Sequence, residues 1–299
     1  MIEVRDLRKE YGDFVAVEGS TFSVSPGEVF GIVGPNGAGK TTTLKTIAGL
    51  LEPTSGRAEV AGYDSGDPEM RRQLGFLPEE SPLYEEMTPL SYLRFFADLY
   101  DVPGDVARER IDDTLDRLDL AHRDRALGDM SKGMKRKVAI ARSLVNDPDV
   151  LVYDEPASGL DPLTTNYVVD FTRQLADDGR TVVFSAHNLY HVEAVCDRIA
   201  IMNEGRIVAQ GSVEDLRSEY GQTEYHVYTD VAVEGSAAAD GRHRTTVESM
   251  AAVDEVRDAA RRAGGDVVDI RTEEPSLERL FLDLAQGGAD EDRTAGGDR

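Results

Sequence analysis

The run Gly34-Pro35-Asn36-Gly37-Ala38-Gly39-Lys40-Thr41-Thr42 concentrates more potential chemistry than any other stretch of the chain. It satisfies the phosphate-loop pattern G-x-x-x-x-G-K-[ST] without a mismatch. Glycines let a backbone curl until successive N–H groups point inward and cradle an anion. A helix that opens directly afterwards adds the partial positive charge of its N-terminus. Lys40 is placed to reach β- and γ-phosphates, and the Thr41 hydroxyl is a hard-oxygen ligand for Mg²⁺. A nucleoside triphosphate with its magnesium ion is the expected ligand.

Four further places could serve such a ligand. The apolar run Val150-Leu151-Val152-Tyr153 ends in Asp154-Glu155. Neither carboxylate helps a hydrophobic strand, so both are expected to work at its end. Asp154 would hold Mg²⁺ through water, and Glu155 would orient or deprotonate an attacking water. A second apolar run, Thr181-Val182-Val183-Phe184-Ser185, ends in Ala186-His187, where ligands of open α/β sheets gather. Ser131 and Gly133, within Met130-Ser131-Lys132-Gly133-Met134, open a helix and offer a hydroxyl, free N–H groups and a helix dipole to a second anion. The same residues also read as an ordinary N-cap before a basic helix. Tyr11, in a loop between two strands, is either a ring for stacking on adenine or a turn tyrosine with its hydroxyl in water.

The elements that must position these groups are legible from periodicity. Glu28-Val29-Phe30-Gly31-Ile32-Val33, bounded by Pro26-Gly27 and Gly34, predicts a buried strand entering the loop. Leu44, Ile47 and Leu51 have helical spacing after it. Alternation over Ile2-Glu3-Val4, Phe14-Val15-Ala16-Val17 and Thr21-Phe22-Ser23-Val24 predicts short strands of an antiparallel sheet beside the loop. Further strands are expected at 57–63, 74–77 and 198–202, the last turning at Asn203-Glu204-Gly205-Arg206. Helices are expected at 89–100, with Leu93, Phe96, Leu99 and Tyr100 on one face, and at 105–120, with Ile111, Leu115, Leu118 and Leu120. Together they suggest a helical insertion over about 89–145. Residues 222–286 read as a small α+β appendage: strands at 223–229 and 266–270, and helices at 249–263 and 276–284. The glycine- and aspartate-rich residues 287–299 are expected to be disordered.

Composition narrows the partners. The chain has 299 residues and a net charge of −24, which argues against nucleic acid, since phosphate backbones want a basic face. It contains 6 Lys, 27 Arg and no Trp. An acid-rich, lysine-poor surface suits a cytosol of very high salt, though a merely acidic mesophilic protein would look similar. The one cysteine, Cys196, has no partner for an internal disulfide and reads as a small core residue. The N-terminus reads as a strand and not a signal peptide, and no window approaches 18 consecutive apolar residues. Any membrane involved would be crossed by another chain.

In order and spacing, these motifs resemble the nucleotide-binding subunit of ATP-binding-cassette (ABC) transporters over roughly residues 2–220. The resemblance implies an α/β P-loop NTPase cassette with an antiparallel β subdomain and a helical insertion, binding ATP and Mg²⁺. By position, Tyr11 matches the adenine-stacking aromatic, and Gly34 to Thr42 match the phosphate loop with its Lys40. Glu79 falls where the family usually has the glutamine that senses Mg²⁺ and touches the membrane subunit. Ser131 and Gly133 match the signature that contacts the γ-phosphate held by the opposite subunit. Glu155 matches the catalytic base and His187 the γ-phosphate switch. Ser158 and Asp161 match the turn that crosses the dimer. The resemblance further implies a head-to-tail dimer, expected to be a homodimer, on the cytoplasmic face of the membrane beside a polytopic permease.

Two departures bear on subfamily. Met130-Ser131-Lys132-Gly133-Met134 stands where Leu-Ser-Gly-Gly-Gln is usual, so Lys132 adds a cation near the phosphates. Glu79 adds a negative charge. The combination resembles exporters of drugs, antibiotics, lipids or sodium, whose ATPase and membrane subunits are separate chains. The appendage resembles the accessory domain that follows many of these ATPases. One rival is a soluble ABC-type ATPase acting in DNA repair or on ribosomes without a permease. A single cassette, no long heptad segment and an acidic surface speak against it. A second rival is a regulatory cassette that binds ATP without hydrolysing it; intact Lys40, Asp154, Glu155 and His187 speak against that.

Overall fold

The computed structural model describes residues 1–221, 223–239, 241–273, 276–282 and 284. Alternating apolar residues at the start of the chain build two long strands, β1 (Ile2–Tyr11) and β2 (Phe14–Val24), joined at Gly12-Asp13. Ile2, Val4, Leu7, Val17, Phe22 and Val24 point inward. The break expected between residues 17 and 21 is absent. Register shifts between β1 and β2, with Gly19 at φ 66, absorb the irregularity without ending the pairing.

β3 (Val29–Val33) is buried along its whole length and runs into the phosphate loop and α1 (Lys40–Ile47), which stops short of Leu51. β4 (Ser55–Val60) and β5 (Tyr63–Asp64) split the single strand expected at 57–63 by turning through Ala61-Gly62, both at positive φ. Then follow β6 (Leu74–Leu77), α2 (Pro89–Leu99), α3 (Gly104–Arg117), α4 (Lys132–Ser143) and β7 (Val150–Tyr153). After them come α5 (Pro162–Asp177), β8 (Thr181–Ala186), α6 (Leu189–Val195), β9 (Arg198–Asn203) and β10 (Arg206–Gly211).

These elements form an antiparallel sheet of order β2-β1-β4-β5 and a six-stranded sheet of order β10-β9-β3-β8-β7-β6. In the second sheet only β10 is antiparallel to its neighbour. Parallel strands covered on both faces need continuous apolar runs, which is how β3, β7 and β8 read. One core joins the two sheets through α1: Ile2, Leu7, Phe30, Leu44, Ile47, Val152 and Met202 all belong to it. Each such side chain contributes about 1.5–3 kcal/mol by leaving water. In the middle of β3, a Cβ on Gly31 would lie 2.8 Å from Cys196 Sγ, so the thiol fills the space that the glycine leaves. Burial pushes the pKa of this thiol well up.

α2 buries Leu93 as expected, but its inward face is rotated away from Leu99 and Tyr100. Tyr92, Leu93 and Ala97 are buried, whereas Leu99 is 61% exposed. A capping box between Thr88 and Ser91, with Pro89 in the first turn, opens the helix. Tyr92 and Phe96 then pack against each other, with Arg142 over the Phe96 ring. On α3 the expected stripe of Ile111 and Leu115 is buried, as are Leu118 and Leu120 just beyond its end.

The chain divides into two compact units at Ser212/Val213, ahead of the 221/222 boundary suggested by the sequence. The second contains α7 (Val213–Tyr220), β11 (Glu224–Thr229), β12 (Ala237–Ala239), β13 (Arg242–Val247), α8 (Met250–Arg262) and β14 (Val267–Glu273). Its antiparallel sheet has the order β12-β13-β11-β14, and Val227, Val253 and Val256 form its core. β12 and β13 had no apolar signal: along Arg242–Val247 only Thr245 is buried. Of the helix expected at 276–284, residues 277–282 and 284 are helical, and the expected tail at 287–299 lies outside the described residues.

Candidate nucleotide site

β3 delivers the chain to a loop whose geometry admits little but glycine at two points. A Cβ on Gly34 would lie 2.4 Å from the Met202 carbonyl oxygen. Gly39, at φ 99, would place a Cβ 2.5 Å from the Ala16 carbonyl oxygen. The loop bends around Lys40, whose Nζ donates to the carbonyls of Gly34 at 2.8 Å and Pro35 at 3.2 Å. Nζ also stands 3.9 Å from Glu155 Oε1. Burial lowers the pKa of Lys40, while Glu155, Asp154 and Glu79 work in the opposite direction. A cavity of about 630 Å³ opens here, lined by Asn36 to Thr42 together with Phe14, Ala16, Glu79, Glu155, Ser158 and His187.

Strand register brings the acidic and histidine groups to this loop. Tyr153 on β7 pairs with Phe184 on β8, and Val33 on β3 pairs with Ala186. Asp154 and Glu155 therefore emerge beside Ser185 and His187, all at the carboxyl edge of the parallel sheet. Asp154 Oδ1 accepts hydrogen bonds from the hydroxyls of Thr41 at 3.1 Å and Ser185 at 2.6 Å. The Glu155 N–H donates to Ser185 Oγ at 2.9 Å. Glu155 Oε2 lies 2.7 Å from His187 Nδ1. Burial raises the Glu155 pKa, His187 and Lys40 pull it back, and Glu79 adds to the rise. The backbone at Glu155 is left-handed, with φ 47, a conformation that costs a non-glycine residue about 1–2 kcal/mol.

Thr41 and Asp154 offer hard oxygens of the kind Mg²⁺ takes, and Glu79 lines the same cavity. Among the described residues no three His, Cys, Asp or Glu side chains converge as a protein-only cage.

Other expected site residues lie outside the cavity lining. Tyr11 is half-exposed with Lys9 Nζ 5.3 Å from its ring centre, whereas its register partner Phe14 lines the cavity. Ser131 caps α4, its Oγ accepting from the Met134 N–H at 3.2 Å. Gly133 backs onto Thr164, which a Cβ would approach to 3.0 Å. Asp161 caps α5, accepting from the Thr164 N–H at 3.1 Å and hydroxyl at 2.7 Å. Those bonds lower its pKa. A second cavity, of about 460 Å³, joins Glu79 to Lys132, Lys135, Arg136 and Ser158. Sequence reasoning missed Phe14, Ser185 and Arg136. For Ser185 a signal existed: a polar residue inside an apolar strand, two positions before His187.

The chain matches the family described as ABC transporter over residues 17–158. It is 32% identical to the linearmycin resistance ATP-binding protein LnrL of Bacillus subtilis over 313 aligned residues, covering 95% of this chain and 98% of that protein. This chain belongs to the ABC transporter ATP-binding proteins. The ABC transporter ATP-binding protein NatA of Bacillus subtilis is 36% identical, with 79% of this chain and 99% of that protein aligned. Among solved structures, an ATP-binding subunit of an ABC transporter superposes with a TM-score of 0.68 at 34% identity, over 74% of this chain and 93% of its own. A dimeric ATP-binding cassette in a post-hydrolysis state with ADP and Pi gives a TM-score of 0.65 at 25% identity, over 71% and 99%. The two sheets and the helices of the first unit are thus those of an ABC cassette.

Proposed function

We propose that this ABC protein hydrolyses ATP as the motor subunit of an exporter, working with a separate permease on the cytoplasmic face of a membrane. The observation that carries the chemistry is that Lys40, the Thr41–Asp154 pair and the Glu155–His187 pair meet around one cavity. Phosphate oxygens replace the loop carbonyls as partners of Lys40. Thr41 and Asp154, with Glu79 lining the same cavity, would hold Mg²⁺, which would neutralise phosphate charge. Glu155 takes a proton from water as the water oxygen bonds to the γ-phosphorus, and the bond to the bridging oxygen breaks to leave ADP. His187 orients the Glu155 carboxylate and the γ-phosphate.

Two such cassettes facing head to tail would bring Ser131, Gly133, Ser158 and Asp161 of each to the phosphates of the other. Ser131, Gly133 and Asp161 lie outside the cavity lining of their own chain, which supports this arrangement, while Ser158 lines it. No helix among the described residues is long and apolar enough to cross a membrane, so the transport path would belong to the partner. The relative named for linearmycin resistance supports export as the direction. The acid-rich surface fits a cytosol of high salt. The partner is tested by purifying the tagged subunit from native membranes in high salt. A co-purifying polytopic membrane protein is the expected result. Recovery of only soluble material, ribosomes or DNA would remove the permease from the reading.

The raised pKa of Glu155 has a kinetic consequence. The base works ionised, so kcat should fall as pH drops through a value above the ordinary 4.5. His187 opposes that rise, so His187→Ala should move the acid limb to higher pH as well as lowering kcat. Phosphate release measured from about pH 5 to about pH 9 checks both. An acid limb unmoved by the substitution would separate His187 from the base.

A further inference from the structure

Arg136 lies in the first turns of α4, is buried, and pairs with no carboxylate among the described residues. Its guanidinium is spent on main-chain oxygens from two distant segments. Nε donates to the Pro156 carbonyl at 2.7 Å. Nη2 donates to the carbonyls of Glu155 at 2.8 Å and Asp154 at 3.2 Å. Nη1 donates to the carbonyls of Pro78 at 2.8 Å and Glu79 at 3.0 Å, with Ser81 Oγ at 3.4 Å. Burial brings its pKa down to about 10, so the charge persists at neutral pH.

These bonds fall where the backbone is strained. Glu155 stands in the left-handed region, and such conformations persist only when the surroundings over-determine them. Ser185 holds the Glu155 N–H, and Arg136 holds its carbonyl together with the carbonyls on either side. The other edge of the same planar fork fixes the loop that carries Glu79. Only a guanidinium offers donors along two edges at once; an ammonium is a point charge.

We propose that Arg136 is a positioning residue for ATP hydrolysis, clamping the Glu155 backbone and the Glu79 loop to α4 as one body. The proposal deepens the reading above and rests on Glu155 being the base. Because Ser131 caps the same helix, any pull on Ser131 by a nucleotide reaches the base of the same chain through Arg136. The clamp thus gives a route from one half-site of a cassette pair to the other.

Arg136→Lys keeps the charge and removes the fork. It should lower kcat about 10- to 100-fold while MgATP affinity stays within about threefold, because misplacement by about 1 Å is costly to the reaction and not to binding. Amide hydrogen exchange in the nucleotide-free protein should rise together over 78–81 and 154–158. In a Glu155→Gln background the same substitution should cost less than about twofold in residual turnover, since a group acting through a carboxylate has nothing left to position. Arg136→Gln, neutral and smaller, takes its place if the lysine variant does not fold. Unchanged exchange in either segment would overturn the clamp, and so would a full multiplicative loss in the Glu155→Gln background. Wild-type turnover by Glu155→Gln alone would instead remove the base, and the exchange data would still decide the clamp.

Discussion

Replacing Glu155 by glutamine should cut ATP turnover to a small residue while leaving ATP bound and two cassettes locked together. The amide keeps the size and polarity of the carboxylate but cannot accept a proton from water. Loss of a general base costs about 10²–10⁴-fold in rate. The fold should tolerate the change. Glu155 is buried and its pKa is raised, so the native protein gives up solvation to keep a charge there, and glutamine does not. With hydrolysis slowed and Lys40, Thr41 and Asp154 intact, MgATP should shift the protein from monomer to dimer on size exclusion, and phosphate release should fall to a small residual rate. Normal hydrolysis by this variant would move the base to another residue.

The second large effect is expected at Lys40. Lys40→Met retains the length of the side chain and deletes the ammonium. A hydrogen bond to a charged group contributes about 1.5–3 kcal/mol, so MgATP affinity should fall about 10- to 100-fold, read by calorimetric titration. Thermal unfolding should barely move. The lysine is 6% exposed, and relief from burying a cation offsets the loss of its bonds to the Gly34 and Pro35 carbonyls. Lys40 also restrains the Glu155 pKa, so the residual activity should fail at a higher pH than in the native protein. Unaltered affinity would mean that phosphates do not bind at this loop.

The parts of the site that were legible in the sequence are those whose chemistry is local. Glycines, lysine and threonine stand side by side in Gly34 to Thr42, and two carboxylates stand at the end of an apolar run. Each pattern is readable without knowing what lies opposite. Arg136 was not legible for the opposite reason. In sequence it is one cation in a basic helix, and its contacts are carbonyls from segments that only the fold brings together. The aromatic at the cavity shows a subtler limit. Tyr11 and Phe14 flank one hairpin turn, and alternation does not say which of two paired rings faces the cavity.

The fold was readable where burial is continuous or periodic, as in β3, β7, β8 and α3. It was not where polar residues fill a strand, as in β13, or where packing partners from elsewhere in the chain choose the buried face of a helix, as in α2. Nor did local turn propensity foresee that β2 would continue past Gly19. Pairing along the rest of β1 outweighs one irregular residue.

The chain has one sulfhydryl group, and it is occupied as a packing atom: the sulfur of Cys196 fills the hollow over Gly31, and its thiolate form is disfavoured by burial. The natural sequence is therefore its own blank background for site-directed labelling. Cysteines introduced on α4 and beside the phosphate loop would carry spin or fluorescent probes without the native residue first being removed. The separation between two copies could then be followed through a catalytic cycle in the unaltered core.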